Sequence, residues 1–380
     1  MASVFPVSGI GVEPRRNWAR FDFAFALSTV LLILIGLMSL YSQSAATGSP
    51  WFRKQLINVG IGFIPLLLFA LVHPKVWIRG ANLLYVVNVA LLAAVLLHGK
   101  HTKGAGRWFQ LGALQFQPSE LAKLLVILTL ATFYAARQDS IRSPKTFLLG
   151  ALHAFVPMVM ILLQPHLGAF IVTGVAWFGI SILARVPMKF IGFTAAIAAL
   201  LIGAAFTVPM FQSKFFRPYQ LERILGMVGP KDAKGANYQT DRAEIAFGVG
   251  GVLGSGFMRG EQKAAGFIPE QQNDFILTVI GEEGGLVGCT LVLVTFGIFF
   301  YRIWINLVQT TEPFYRMVAG GIFSILAFHM FVNMAMEMKL LPVVGLWLPF
   351  LSYGGTAMWL CMACVGLMIG IRRRERPLLF

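Results

Sequence analysis

Residues 22–42 read DFAFALSTVLLILIGLMSLYS, and after Asp22 no charge interrupts the run. A helix needs about 20 consecutive apolar residues to cross the hydrocarbon core of a bilayer. The stretch is therefore read as a membrane span. It is too long for the apolar region of a cleaved signal, and no small-residue cleavage site follows it. Working outward, the same rule places further spans at 55–73, 77–98, 118–137, 146–164, 167–184, 188–210, 275–301, 314–336 and 354–371. The fifth and sixth are separated only by Gln164, Pro165 and His166, which predicts a tight helical hairpin. The expected fold is an all-α integral membrane protein of about ten transmembrane helices, with residues 1–380 forming one polytopic domain. A long extracytoplasmic loop at 211–274 joins spans seven and eight.

Composition agrees with a bilayer as solvent. Of 380 residues, 57% are apolar and only 12% charged, where a soluble chain carries about one quarter charged residues. The formal net charge of +15 does not point to nucleic acid. The basic residues are scattered through short loops, without a basic helix or an RNA-binding signature. Anionic headgroups and phosphate-bearing substrates are the expected partners. Cys361 and Cys364 form a C-x-x-C inside an apolar run, but no second Cys or His pair accompanies them. They and Cys289 read as small packing residues rather than zinc ligands. His153 and His329 lie within spans and read as hydrogen-bonded packing residues.

Short loops set the orientation. Arg15, Arg16 and Arg20, Lys75 and Arg79, Arg137, Arg142 and Lys145, Arg185 and Lys189, Arg302 and Arg316, and Arg372 to Arg374 with Arg376 all fall on one side of a ten-span chain. That side is expected to be cytoplasmic, with both termini there. The loop at 211–274 faces outward. It keeps apolar residues such as Ala246, Phe247, Val249 and Val252, so it is expected to fold back onto the bundle.

Ionisable residues inside spans are costly and mark candidate function. Glu120 and Lys123 are three apart in the fourth span and can pair; a purely structural ion pair is the competing reading. Pro118 suits a first helical turn, and Gln117 or Ser119 can satisfy free N–H groups there. Before them, Gly104 to Trp108 read as a flexible turn ending in Arg107, which can hold a lipid phosphate, and Trp108, which suits the membrane interface. Asp274 stands where the long loop meets the eighth span. It is read either as a helix cap or as a general base on a sugar hydroxyl. Arg217, Arg223, Lys231, Lys234, Arg242, Arg259 and Lys263 precede it and can bind a pyrophosphate leaving group; a solvated loop face is the alternative. The last outward loop, 341–355, is broken by Pro342, Gly345, Pro349, Gly354 and Gly355. Irregular backbone at this depth is tolerated only against protein or a water-filled cavity, so Ser352 and Gly354 are placed at the site.

Several of these segments resemble, in order, the SEDS family (shape, elongation, division and sporulation proteins). They are Gly106-Arg107-Trp108, Gln117-Pro118-Ser119-Glu120-Leu121-Ala122-Lys123, Ile268-Pro269-Glu270 with Asp274-Phe275-Ile276, Ile280-Gly281-Glu282-Glu283, and Pro349-Phe350-Leu351-Ser352-Tyr353-Gly354-Gly355-Thr356. Within the family, Arg217-Pro218-Tyr219-Gln220 and Gly354-Gly355-Thr356-Ala357-Met358 are more similar to the RodA branch than to the FtsW branch.

The resemblance implies a peptidoglycan glycosyltransferase in the bacterial cytoplasmic membrane that polymerises lipid II for wall elongation. Its site would face outward. Asp274 would match the family's essential carboxylate, and Glu120 with Lys123 its intramembrane pair. A class B penicillin-binding protein transpeptidase and other elongation-complex membrane proteins are the implied partners. A divalent cation (Mg or Mn) is the only cofactor suggested; no organic cofactor is. Three segments depart from the family's usual pattern. Pro165-His166-Leu167-Gly168 carries a histidine at a commonly acidic position, Gly345-Leu346-Trp347-Leu348-Pro349 replaces a proline by Trp347, and Glu337-Met338-Lys339 is unusually charged. Two other functions fit the same chain: a flippase of a lipid-linked precursor, which prefers charges through the bundle centre, and a non-catalytic scaffold for a transpeptidase.

Overall fold

A computed structural model of the chain describes residues 22–102, 105–112, 114–207 and 238–374. Each predicted apolar run is a helix. The spans are α1 (Phe23–Thr47), α2 (Trp51–Leu71), α4 (Ala81–His98), α5 (Pro118–Ala135), α6 (Pro144–Leu163), α7 (Leu167–Leu183), α8 (Met188–Thr207), α12 (Ile276–Gln309), α13 (Pro313–Glu337) and α14 (Gly355–Arg374). A short α3 (Pro74–Arg79) joins α2 to α4, and α9 (Tyr238–Gly250), α10 (Glu261–Ala264) and α11 (Gln271–Asp274) belong to the long loop. Eight of the ten spans are long and apolar enough to cross a membrane on length and composition alone; α7, with 17 residues, and the apolar part of α8, Met188–Ile197, are shorter.

Local chemistry explains the helix ends. Asp22 caps α1 by accepting from Phe25 N at 3.0 Å, and Gly48 closes it in the left-handed conformation, φ 68°. Pro118, Pro144 and Pro313 each occupy the first turn of their helix, where a missing N–H costs nothing. The spans α5, α13 and α14 are the most enclosed. The outer spans turn residues such as Ile64, Leu83, Leu97 and Leu148 outward, each more than 65% exposed. In water such faces would be untenable; against acyl chains they are the expected surface.

One span is discontinuous. Within α12, Gly285 leaves the helical region with φ 60° and ψ −156°, and the loop at 250–256 enters the gap. Leu286 N and Val287 N donate to Gly251 O and Val252 O at 2.9 and 3.2 Å, while Ser255 N and Gly256 N donate to Glu282 O and Glu283 O at 2.9 and 3.0 Å. The groups released by the break are thus rejoined to protein rather than left in lipid. Gly254 sits at φ 80° at the crossing, where a β-carbon would collide with Glu283 O.

The segment before α5 departs from the all-helical expectation. Residues 105–108, four of the five expected in a turn at 104–108, belong instead to strand β2 (Ala105–Leu111), which lies between β1 (Lys100–Thr102) and β3 (Leu114–Phe116) in an antiparallel three-stranded sheet ordered β1-β2-β3. Gly112, at φ 62°, allows the tight return that pairs Leu111 with Leu114 and Phe109 with Phe116. The hairpin leaves α5 to begin immediately at Pro118.

The described part of the long loop folds onto the bundle. Ala243 and Ala246 of α9 are fully buried in a small cluster with Ile268, Phe275, Met336 and Val343, whereas Val249 and Val252 remain exposed.

Candidate active site

The predicted segments converge at one end of the bundle around residues 338–354, which carry no regular secondary structure between α13 and α14. Although irregular, this stretch buries Val343, Leu346, Leu348, Phe350 and Leu351. Its backbone is held by its own Ser352, by the Gln55 side chain and by the main chain at Gln272. Ser352 Oγ accepts from Leu348 N at 2.8 Å, Gln55 of α2 reaches Ser352 O and Gly354 N at 3.2 and 3.1 Å, and Tyr353 N donates to Gln272 O at 2.8 Å. Ser352 and Gly354, placed at the site from sequence, therefore shape its floor.

Asp274 ends the one-turn helix α11, and Phe275, not Asp274, is the residue preceding α12. The cap foreseen as one reading of Asp274 is supplied from elsewhere. Fully buried Glu337, at the end of α13, accepts from Thr278 N at 2.9 Å. Thr278 Oγ1 donates to Phe275 O at 2.5 Å and accepts from Gln271 Nε2 at 2.9 Å, and Gln271 Oε1 accepts from Gln43 Nε2 at 3.0 Å. Asn333 Nδ2 donates to both Asp274 O and Leu346 O, at 2.9 and 2.7 Å. It thereby clamps the backbone of Asp274 to the irregular segment. The Asp274 carboxylate faces Gly345: a β-carbon there would lie 3.5 Å from Asp274 Oδ2. Asp274 itself is half-buried.

The second centre is the buried pair. Lys123 Nζ donates to Glu120 Oε1 and Oε2 at 2.9 and 2.8 Å and meets His329 Nε2 at 3.1 Å. Trp347 Nε1 donates to Glu120 Oε2 at 3.2 Å, and its ring stacks on His329 with centroids 3.9 Å apart. Because Trp347 follows Leu346, one short stretch of chain touches both the Asp274 clamp and the ion pair. The histidine reading holds for both residues: His329 is packed as described, and His153 Nε2 lies 2.9 Å from Thr129 Oγ1.

Gln117 and Ser119 do something other than cap α5. Gln117 Nε2 and Ser119 Oγ approach His166 Nδ1 at 3.2 and 3.1 Å, while Gln117 N donates to Thr356 Oγ1 at 3.0 Å. The α5 N-terminus has no side-chain cap. Arg107 donates to Gln164 O at 2.9 Å and to Pro165 O, so part of its guanidinium holds the hairpin between α6 and α7. Trp108 lines an open depression of about 480 Å³ with His98, Phe109, Gln110 and Gly112.

Lys263 is not displayed to solvent as a phosphate ligand. Only 1% exposed, it is paired with Glu283 and Ser42, and Ser42 Oγ donates to Glu283 Oε1 at 2.6 Å. Burial pushes the Lys263 ammonium down and the nearby Glu282 carboxylate opposes that shift. Glu282 in turn accepts from Gln262 N and Lys263 N at 2.6 and 3.2 Å, capping α10. Both carboxylates next to the break in α12 therefore fasten the loop to the span. Arg242 stacks on Tyr238 and Phe267 at 5.3 and 4.5 Å. Arg217, Arg223, Lys231 and Lys234 lie outside the described residues.

The model of the FtsW, RodA and SpoVE family, described as cell cycle protein, matches residues 21–377. The chain belongs to this family. Its curated relatives include the peptidoglycan glycosyltransferase MrdB of Escherichia coli K12, 34% identical over 92% of this chain and 94% of the relative, and the stage V sporulation protein E of Bacillus subtilis strain 168, 33% identical over 93% and 98%. Among solved structures, the rod shape determining protein RodA of Thermus thermophilus is similar with a TM-score of 0.70, at 25% identity over 95% of this chain and all of that one. A chain from a peptidoglycan synthase complex, studied for its coordination of polymerization and crosslinking, gives a TM-score of 0.77, at 26% identity over 94% and 99%. The multi-span helical membrane fold expected from sequence is thus that of the FtsW, RodA and SpoVE family.

All three departures from the SEDS pattern have a physical account. Trp347 supplies a second N–H to Glu120 Oε2, which already receives Lys123, and covers His329. His166 takes up Gln117 and Ser119 of the fourth-span motif. Glu337, part of the third departure, caps α12, while Lys339 pairs with Asp241 and Glu244 of α9. Among the described residues no group of three or more His, Cys, Asp or Glu side chains could hold a metal ion.

Proposed function

We propose that the chain is a peptidoglycan glycosyltransferase of the RodA type, which polymerises lipid II at the outer face of the bacterial cytoplasmic membrane. The observation that carries this reading is the placement of Asp274. Its backbone is fixed through Asn333 to the segment that also contacts the Glu120–Lys123 pair, and Glu337 accepts from Thr278 N in the first turn of α12. A half-buried carboxylate so held suits a general base, which needs geometry before it needs an unusual pKa.

In the proposed reaction Asp274 takes the proton of the acceptor sugar's 4-hydroxyl. The oxygen attacks the anomeric carbon of the donor, the bond to the pyrophosphate breaks, and undecaprenyl pyrophosphate leaves with the electron pair. A single displacement on an α-linked donor gives a β-linked product, and no carboxylate nucleophile is required, in contrast to a retaining glycosidase. Basic residues of the long loop stabilise the leaving group in this reading. Lys263, already paired, does not serve there directly. No step is assigned to a divalent cation. Both termini are placed in the cytoplasm, on the charge bias of the short loops. A class B penicillin-binding protein is the proposed partner, supported by the likeness to a subunit of a peptidoglycan synthase complex.

The test is glycan-strand formation from purified lipid II, comparing wild type with Asp274→Asn, each co-purified with its transpeptidase. Polymer from wild type and none from a variant with an unchanged unfolding curve is the expected result. Equal polymer from both places the base elsewhere. No polymer from either, in an intact complex, removes the polymerase reading in favour of a flippase or a scaffold.

A further inference from the structure

The two ends of α9 are held in different ways. At its C-terminus the helix crosses α12 so closely that a β-carbon on Gly250 would collide with Gly281 O, and one on Gly281 with the Phe247 ring. The chain then runs directly into residues 251–256, which are bonded into the break in α12. That end is fixed. Toward the other end the buried side chains of α9 are small: Thr240, Ala243 and Ala246. Little apolar area holds it down there, and its other attachments are polar. Gln239 Nε2 donates to Pro269 O at 3.2 Å, and the Arg242 guanidinium lies over the Phe267 ring. Lys339 Nζ pairs with Asp241 Oδ1 at 2.6 Å and with Glu244. The Lys339 and Asp241 side chains are 31% and 30% exposed and that of Glu244 69%, and ion pairs so open to water separate at little cost.

Lys339 stands where the backbone favours glycine. Leu340 N donates to Ala335 O at 2.8 Å and Lys339 N to Met336 O at 3.2 Å, the paired bonds that close a helix C-terminus over one residue in the left-handed conformation. Lys339 is that residue, at φ 60°. Any β-carbon is strained there. The strain is offset by the work of the side chain, which is to hold α9.

The helix lies on the two stretches that meet at Asp274. Ala243 and Ala246 pack with Phe275, which directly follows Asp274, and with Val343, two residues before the Gly345 that faces its carboxylate. We infer that α9 is a hinged cover for the Asp274 site, pivoting where Gly250 crosses Gly281 and closed by an ionic latch of Lys339 with Asp241 and Glu244. Its N-terminal end swings outward to admit the substrate headgroup. Elements that move are drawn from those with few buried contacts, and they turn about a few residues at an element's end. The inference rests on the polymerase reading for what enters, while the latch itself stands on the contacts of α9.

The experiment uses the full chain in complex with its transpeptidase and has two readouts. In the first, Lys339→Cys with Glu244→Cys is bridged by a short bis-methanethiosulfonate reagent, which dithiothreitol removes. The bridged complex is expected to polymerise lipid II far more slowly than the same sample after reduction, while each single variant, treated alike, is unchanged by reduction. A bridged complex as active as the reduced one overturns the cover. In the second, Ala243→Cys reports opening through its rate of alkylation, located by peptide mass spectrometry. Adding Lys339→Gly removes the latch and is expected to raise that rate by roughly three-fold or more, the worth of two part-exposed ion pairs. The buried native Cys361 and Cys364 should stay unreactive in both proteins. An unchanged rate at Ala243→Cys overturns the latch, and so does a rise matched at Cys361, which would mean general loosening. If wild type makes no polymer, the polymerase reading falls; the alkylation comparison needs no substrate and still decides the latch.

Discussion

Replacing Lys123 by methionine keeps an unbranched apolar side chain of similar length and deletes the ammonium. Glu120 is 3% exposed and Lys123 not at all. In the wild type both Glu120 oxygens receive Lys123 Nζ, and Oε2 also receives Trp347 Nε1 at 3.2 Å. After the substitution Oε1 has lost its donor and the carboxylate its counter-charge, while His329 Nε2 loses its neighbour. Removing one member of a buried pair costs about 3–5 kcal/mol, because the remaining charge is stranded. Glu120→Gln strands the ammonium instead and is expected to cost a similar amount. The double variant carries neither charge, and its glutamine can still accept from Trp347, so its loss is expected to be about 1–2 kcal/mol, well short of the sum. Unfolding in mixed detergent micelles, followed by tryptophan fluorescence, measures all three. A Lys123→Met loss below about 1 kcal/mol, or a double variant whose loss equals the sum of the singles, would refute the reasoning that desolvated charge dominates this pair.

Other outcomes follow from the same geometry. Lys263→Met strands Glu283 at the break in α12 and is expected to loosen the long loop, read as faster hydrogen exchange or proteolysis between residues 250 and 270; Lys263→Met with Glu283→Gln should recover most of the protection. Gly254→Ala places a β-carbon against Glu283 O at φ 80° and is expected to cost at least 2 kcal/mol, roughly the sum of strain and overpacking; a neutral result would mean that the crossing is plastic. Acid should destabilise the protein through His166. Its folded pKa is lowered, so below about pH 6.5 the unfolded chain takes up a proton that the folded chain refuses. The contribution is complete above that pH and falls by at most about 1.4 kcal/mol per unit beneath it. His166→Gln should abolish that slope, and an unchanged slope would assign it to other groups.

The spans were legible because their signal is local: a run of apolar residues long enough for a bilayer needs no tertiary information. The same holds for Pro118 opening α5 and for Lys123 pairing with Glu120 one turn away. The sheet was missed although Arg107-Trp108-Phe109-Gln110-Leu111-Gly112 offers aromatic strand formers followed by a turn glycine, a hairpin signal overlooked beside stronger helical ones. The break in α12 also had a visible mark in Gly284-Gly285, but apolar composition on both sides read as one continuous span. What sequence could not reveal are partnerships set by distant chain segments. Glu337 caps a helix 59 positions before it, Ser42 meets Glu283 across 241 positions, and Trp347 reaches Glu120 across 227. Charge alone nominated Lys263 as a phosphate ligand; only packing reveals that its charge is already neutralised. Asp274 was legible as a position, while the Asn333 clamp that fixes it was not.

The interruption at Gly285 bears on how the chain is made. Residues 250–256, which complete the broken helix, leave the ribosome before residues 282–287, so the patch exists before the gap does. A membrane insertase releasing α12 sideways would otherwise expose four unpaired backbone groups to lipid, each costing several kcal/mol by order of magnitude. Biogenesis is thus expected to require vectorial order, with the patch already in place when the gap is handed to the bilayer. A split protein, expressed as two pieces divided between residues 256 and 276, would have to find that patch in trans. Its assembly yield, set against a division at the loop between α6 and α7, measures how much the native order of synthesis contributes.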